Sequence, residues 1–124
     1  PRALPALIKA QRIQEKAANA GFDWEERAQV WDKVKEEISE VDAEAIAGNS
    51  EALESEFGDL FFSLVNAARL YGITPENALE KTNKKFIRRF SHIETETAEA
   101  GKKLNELTLA EMDKLWNEAK KLEK

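Results

Sequence analysis

The breaks in this sequence fall between long segments that have the periodicity of an α-helix. The chain contains only three prolines and five glycines, and all of these except Gly58 lie at or near the segment boundaries. Between them, apolar residues recur three or four positions apart, as in Val30, Val34, Ile38 and Val41. No segment alternates apolar and polar residues between turn signals, so no strand is expected. The pattern predicts an all-α fold, a bundle of about four to five helices.

Helix starts can be predicted from capping residues and from prolines in first turns. The first helix is expected from Leu4 to about Asn19, with Pro5 in its first turn. The later helices are expected to start at Asp23 with Glu26, at Asn49 or Ser50, at Thr74 with Pro75, and at Thr108 with Glu111. In the third helix, which is expected to end near Tyr71, the main apolar stripe is Leu53, Phe57, Leu60, Phe61, Leu64 and Ala68. Trp31 lies on an apolar stripe of the second helix, where core packing is its expected role.

Composition limits the kind of protein. A chain of 124 residues is expected to form one domain, residues 1–124. It has no cysteine and one histidine, which excludes disulfides and poly-histidine zinc sites. The net charge of -5 argues against nucleic-acid binding. No apolar run approaches ~18 residues and no signal peptide is visible, so we expect a cytoplasmic protein without a membrane partner. The start at Pro1, without a methionine, suggests a domain excised from a longer chain.

Two pairs of acidic residues lie on consecutive predicted helices. Glu37 and Glu40, and then Glu56 and Asp59, have i, i+3 spacing, which places each pair on one helix face. If the helices fold back on each other, the four carboxylates meet. Each like-charged pair at ~5 Å then costs about 3 kcal/mol at an effective dielectric constant of ~20. Because a hard cation offsets this repulsion, the pairs predict a Mg²⁺ site, with Mn²⁺ as a substitute.

A solvated helix face is the plainer interpretation of one Glu-x-x-Glu pair, because 24 of the 124 residues are acidic. The second pair is more specific. Asp59 is bracketed by Phe57 and by Leu60-Phe61-Phe62, so we expect it to be partly buried and to need a partner. Glu36 points nearly opposite the core, which leaves it open as a surface charge or as a group that supports the ligands.

A basic segment follows on the fourth predicted helix. Lys85 and Arg89 share a face at i, i+4 spacing, and Asn83 borders the apolar stripe on its other side. These side chains either balance nearby acids or bind an anion. A site for a metal-bound polyphosphate needs two kinds of side chain, carboxylates to bind the ion and cations to bind the phosphate oxygens.

The order of these motifs resembles the MazG family of nucleoside triphosphate pyrophosphohydrolases. The motifs are Lys33-x-x-Glu36-Glu37-x-x-Glu40, Glu56-x-x-Asp59 and Asn83-x-Lys85-Phe86-x-Arg88-Arg89-Phe90. The similarity spans nearly the whole chain and includes Gly21-Phe22-Asp23-Trp24 and Leu115-Trp116. The chain looks most like the catalytic C-terminal domain of the longer, two-domain members.

The resemblance implies an enzyme that hydrolyses nucleoside triphosphates to nucleoside monophosphate and pyrophosphate, through metal-assisted attack of water on the α-phosphorus. It also implies an all-α dimer with bound Mg²⁺. The implied metal ligands are Glu37, Glu40, Glu56 and Asp59. The positions that contact the nucleotide are Lys33, Lys85, Arg89 and Trp116, to which the basic segment adds Asn83. The catalytic set is Glu36, Glu37, Glu40, Lys85 and Arg89.

Other functions are compatible with parts of this pattern. An enzyme of the same fold with a narrow substrate, such as dUTP or phosphoribosyl-ATP, fits equally well. A non-enzymatic acidic helical module would treat the charges as solvated faces. A di-iron carboxylate bundle is excluded, because the chain has no pair of Glu-x-x-His motifs.

The third helix is apolar on more than one face, which bears on oligomeric state. Phe62 lies about 150° from the main stripe, and a helix that is apolar on two sides must be covered on both. We therefore expect a homodimer with Phe62 at or near the interface, since a two-fold contact is the commonest solution.

Overall fold

The computed structural model describes residues 4–123, and this part of the chain contains five α-helices and no strand. The helices are α1 (Ala6–Asn19), α2 (Val30–Ala47), α3 (Ser50–Leu70), α4 (Pro75–Glu99) and α5 (Leu109–Leu122). Short 3₁₀ turns, Arg27–Gln29 and Leu104–Glu106, precede α2 and α5. The all-α prediction is confirmed. Among these helices, none has the length and apolar character that crossing a membrane requires.

Most predicted helix starts are confirmed. The Asn49 side chain accepts a hydrogen bond from the amide of Ala52, and Thr108 and Glu111 form a reciprocal capping box. Pro75 is the first residue of α4. The predicted capping box of Asp23 with Glu26 is wrong. The Gln29 side chain instead accepts from the Glu26 amide at 3.1 Å, and the Asp23 carboxylate is used in a tertiary ion pair.

The described residues form two compact units, 4–78 and 79–123, with the boundary inside α4. In the first unit, α2 and α3 form an antiparallel hairpin joined by Gly48 and Asn49. Gly48 ends α2 with a φ of +77°, a left-handed conformation that favours glycine. The first helix packs on α3, where the Gln14 side chain donates a hydrogen bond to the carbonyl of Phe62 at 2.9 Å. In the second unit, the ring of Trp116 on α5 packs against Phe86 on α4, with centroids 5.2 Å apart.

One seam runs between α2 and α3. Val30 and Val34 from the start of α2 are buried together with Ala67 from the end of α3. Leu60 and Leu70 pack against them. The small residues Ser63 and Ala67 are buried on α3, at positions where small side chains let two helices approach closely. The core of the first unit lies along this seam.

The predicted main stripe of α3 is only partly correct. Phe57, Phe61 and Leu64 are exposed, between 41% and 58% of their surface, whereas Ser63 and Ala67 are buried. The reason is that α2 packs on the line through Leu60, Ser63, Ala67 and Leu70, so the aromatic side of α3 is left uncovered in the single chain. The large apolar side chains predict the wrong face of α3 as the packed one, because small residues form the contact between α3 and α2.

Trp31 also departs from its predicted role in the core. It is 42% exposed, and its Nε1 donates a hydrogen bond to the hydroxyl of Tyr71 at 2.9 Å. The guanidinium of Arg27 lies over the Tyr71 ring, 4.6 Å from its centroid. These three side chains link the start of α2 to the end of α3 at the surface.

The seam can be tested by a cavity-forming substitution. Val34→Ala removes a buried side chain, so it should lower the free energy of unfolding by about 2 kcal/mol. Ile46→Ala, at an 81% exposed position of α2, should change it by less than about 0.5 kcal/mol. Urea unfolding of both variants measures the difference, and equal losses would show that the seam is not the core.

Candidate metal and nucleotide site

Three carboxylates meet at one end of the α2–α3 seam. Ligand oxygens of Glu37, Glu56 and Asp59 all lie within 4.8 Å of one another. Glu37 follows Val30 and Val34 along the packed face of α2, while Glu56 precedes Leu60 along that of α3. The antiparallel hairpin thus brings acids from two helices to the same place. Glu37 is 3% exposed, so its charge is removed from water.

Two oxygens of this cluster are buried without a hydrogen-bond partner among the described residues. They are Oε2 of Glu37 and Oε2 of Glu56. A buried carboxylate oxygen without a donor is costly, and more so beside a second one. An oxygen-rich set of this kind suits a hard divalent cation, which would supply the missing partner. The acidic cluster therefore fits a metal ion.

Glu40 lies beside this cluster. A hydrogen bond with Glu56, together with the negative charge of Glu37, raises the pKa of Glu40 to about 7. Part of the shift in the pKa comes from the neighbouring negative charges, which disfavour a further charge on Glu40. Glu40 is outside the group of three whose oxygens converge within 4.8 Å.

Lys33 supplies positive charge next to the buried acid. Its ammonium contacts Glu36 at 2.8 Å and Glu37 at 2.9 Å. Hydrogen bonds to these two carboxylates raise the pKa of Lys33, which therefore stays charged. Glu36 is exposed and touches the cluster only through Lys33. The contact fits both roles predicted for Glu36, a surface charge and a group that supports a ligand through Lys33.

The predicted partial burial of Asp59 is wrong. Asp59 is exposed, because the aromatic residues that bracket it, Phe57, Phe61 and Phe62, are themselves exposed in the single chain. Glu56 is half-buried. The cluster thus has a buried side at Glu37 and an open side at Asp59, from which a ligand can reach it.

A cleft of about 670 Å³ opens beside the cluster in the first unit. Lys33, Glu37 and Asp59 line it together with residues of α1, α3 and the segment between α1 and α2. Most of its surface is apolar or aromatic, from side chains such as Ile13, Phe22 and Trp24. The cleft can accept a ligand that has a charged end and an apolar part.

An ion pair in the cleft wall was not foreseen from the sequence. Arg69 of α3 donates to Asp23 through two nitrogens, at 2.6 and 3.3 Å, and to Asn66 Oδ1 at 2.8 and 3.0 Å. Arg69 and Asp23 are 46 positions apart, so local spacing could not pair them. In the sequence, Asp23 with Glu26 indicates a helix cap and gives no sign of a partner in α3.

The predicted basic residues lie in the second unit. Arg89 donates two hydrogen bonds to Oε1 of Glu123, at 3.0 and 3.1 Å, and its guanidinium lies over the Trp116 ring, 5.3 Å from the centroid. Lys85 and Asn83 are exposed on α4. Arg89 is therefore paired with an acid of the same unit and is a neighbour of Trp116.

Comparison with known proteins decides the family. Residues 25–94 match the MazG nucleotide pyrophosphohydrolase domain. This range covers more than half of the chain and contains all four acids of the two predicted pairs. The chain belongs to the MazG family.

Two of the relatives of this MazG domain are named as nucleoside triphosphate pyrophosphohydrolases. It is 45% identical over 125 residues to a nucleoside triphosphate pyrophosphohydrolase of Escherichia coli K12, covering 99% of this chain and 48% of that protein. It is 42% identical to a nucleoside triphosphate pyrophosphohydrolase/pyrophosphatase MazG of Thermotoga maritima, covering 94% of this chain and 45% of that protein. An uncharacterized Bacillus subtilis protein, YabN, is 57% identical over 72 residues, covering 58% of this chain and 15% of that protein. The chain spans about half the length of the first two relatives.

The Asp23–Arg69 ion pair should make the stability of the MazG domain depend on pH. Hydrogen bonds from Arg69 lower the pKa of Asp23 below its ordinary value of 3.8. A lowered carboxyl pKa contributes stability above the unfolded-state pKa, and this contribution is lost as the pH falls through the folded-state pKa. Asp23→Asn should therefore lower the melting temperature at pH 7, and the difference from wild type should shrink below pH 3.8. Thermal unfolding at both pH values measures it, and a difference that grows in acid would contradict the ion pair.

Proposed function

We propose that this MazG domain hydrolyses nucleoside triphosphates to nucleoside monophosphate and pyrophosphate, with Mg²⁺ or Mn²⁺ as cofactor. One observation carries the proposal: Glu37 and Glu56, each with a buried and unpartnered carboxylate oxygen, converge with Asp59 beside a ligand-sized cleft. The family and the names of the E. coli and T. maritima relatives support the reaction class.

The metal would be held by Glu37, Glu56 and Asp59, with Glu40 completing the set. When bound, a divalent ion neutralises triphosphate oxygens and lowers the pKa of a coordinated water. Glu37 is the anchor of the set because it is buried and held by the ion pair with Lys33. Asp59 is the exposed member of the three converging acids and lines the cleft, as Glu37 does.

The chain's own side chains would orient the reactants and balance charge. Glu40, beside Glu56, accepts a hydrogen bond from the water that attacks the α-phosphorus. Lys33 lines the cleft and offers its ammonium to a phosphate oxygen in exchange for one of its carboxylate partners. Glu36 keeps Lys33 in place through the 2.8 Å contact.

The basic residues of the second unit are proposed as nucleotide ligands on family grounds. Lys85 and Arg89 would stabilise the charge of the leaving pyrophosphate, and Arg89 suits this role because its planar fork binds phosphate in a bidentate manner. Asn83 would add an amide donor. Trp116, already in contact with Arg89, would be a further contact of the nucleotide.

The reaction is tested by measuring products. Wild-type protein with Mg²⁺ should release pyrophosphate and nucleoside monophosphate from at least one nucleoside triphosphate of a panel that includes dUTP. Asp59→Asn should reduce turnover by about 100-fold or more, because a ligand charge is lost without loss of volume. Glu94→Gln, at an exposed position of α4, is the matched control and should keep wild-type turnover. Release of inorganic phosphate without pyrophosphate would contradict attack at the α-phosphorus.

We also propose that the domain works as a homodimer through the uncovered face of α3. Phe57, Phe61 and Leu64 form this exposed apolar face, with the Phe57 and Phe61 rings 6.0 Å apart. An apolar helix face of this extent favours a second protein surface over water. This face lies on the main stripe of α3, whereas the sequence predicts Phe62, about 150° away on the helix, at or near the interface. Because Phe62 also lines the cleft, Phe61 is the better probe of assembly.

Phe61→Glu should weaken the dimer, because it places a charge in an apolar contact. Sedimentation at micromolar concentration should show wild-type dimers and Phe61→Glu monomers with an intact helical spectrum. Ile46→Glu, on an exposed position of α2, should stay dimeric. A monomeric wild-type protein with full activity would refute the dimer.

A further inference from the structure

The segment between α1 and the 3₁₀ turn at Arg27 carries two aromatic residues that are poorly buried. Phe22 is 85% exposed and Trp24 is 38% exposed, so burial of apolar surface does little to fix this segment. Gly21 enters it with a φ of +97°, a conformation that turns the chain sharply after α1. Something other than core packing must hold the segment in place. The amide of Phe22 donates to the carbonyl of Ala17 at 2.9 Å, which ties the start of the segment to α1.

The Asp23–Arg69 ion pair is the restraint that ties the segment to α3. Asp23 lies between the two aromatic residues, and its Oδ1 accepts from the Trp24 amide at 2.8 Å and from Arg69 at 2.6 Å. The Arg69 side chain is only 14% exposed, and Asn66 Oδ1 fixes its direction through two further hydrogen bonds. A guanidinium that donates to two partners in a planar fork defines an orientation that a lysine could not. The pair thus fixes the segment to the rigid helix α3.

The restrained segment is one wall of the cleft that holds the charged cluster. Phe22 and Trp24 line the cleft, and so do Lys33, Glu37 and Asp59. Under the proposed function, the triphosphate occupies the charged end. The aromatic wall then borders the part of the substrate that has no phosphate. Flat bases stack on aromatic side chains with little dependence on base identity.

We propose that Asp23 and Arg69 are positioning residues that hold Phe22 and Trp24 as the wall against which the nucleoside part of the substrate binds. The inference rests on the proposed function, because it takes the charged end of the cleft as the phosphate site. It assigns Asp23 and Arg69 no contact with the phosphates or the metal. They act through the aromatic wall alone.

The test compares ligands with and without a nucleoside. Inorganic tripolyphosphate carries the phosphates only, whereas the α,β-methylene analogues of ATP and UTP add a nucleoside and resist cleavage between the α- and β-phosphorus. Affinities are measured by calorimetry in Mg²⁺ for wild type, Asp23→Ala, Asp23→Asn and Arg69→Lys. Glu94→Gln and Arg12→Lys, at exposed positions of α4 and α1, are the matched controls.

Asp23→Ala should weaken binding of the better nucleotide analogue by about tenfold, and tripolyphosphate affinity should stay as in wild type. Asp23→Asn keeps a neutral acceptor and should be intermediate. Arg69→Lys should resemble Asp23→Ala, because one ammonium cannot span both partners. The two controls should bind like wild type. In turnover assays Asp23→Ala should raise KM with little change in kcat, the pattern of lost ground-state binding.

Three results would overturn the proposal. The first is unchanged nucleotide affinity in Asp23→Ala. The second is an equal loss for tripolyphosphate, which would show that the pair supports the whole site. The third is a wild-type protein that prefers neither nucleotide analogue over tripolyphosphate. A wild-type protein that binds the analogues as expected but releases no pyrophosphate would refute the proposed function and leave the positioning role intact.

Discussion

The architecture of the first unit depends on one buried carboxylate. Glu37 occupies a position on the α2–α3 seam where the preceding turns carry Val30 and Val34, and it is as buried as they are. A charge placed there must be compensated, or it destabilises the hairpin. Lys33 compensates one oxygen of Glu37, and Glu56 arrives from α3 with an unpartnered oxygen of its own. One end of the seam is therefore an apolar core, and the other end is a cluster of carboxylates that suits a cation.

This arrangement links stability and function in one pair of helices. The apolar end of the seam sets the distance and register of α2 and α3, and that register decides that acids from both helices converge. A rigid support of this kind positions ligands more precisely than a loop would. The open side of the cluster, at Asp59, lies in a cleft whose aromatic wall is held by Asp23 and Arg69. Charged and apolar side chains thus line one cavity.

Sequence reasoning found the helices, most of their caps and the acid pairs, because these features depend on residues a few positions apart. It failed where partners are distant in sequence. The Asp23–Arg69 pair joins residues 46 positions apart, and the packed face of α3 is marked by Ser63 and Ala67, which carry little hydrophobic signal. Asp59 was expected to be partly buried because large apolar residues flank it, yet those residues lie on an uncovered face.

Calorimetric titration of the metal-free protein with Mn²⁺ tests most directly whether the buried carboxylates bind a divalent cation. Wild type should bind, and Glu37→Gln should bind at least about tenfold more weakly because the buried ligand charge is gone. Glu54→Gln, at an exposed position of α3, removes the same charge outside the cluster and should bind like wild type. Equal Mn²⁺ affinity in wild type and Glu37→Gln would contradict the account.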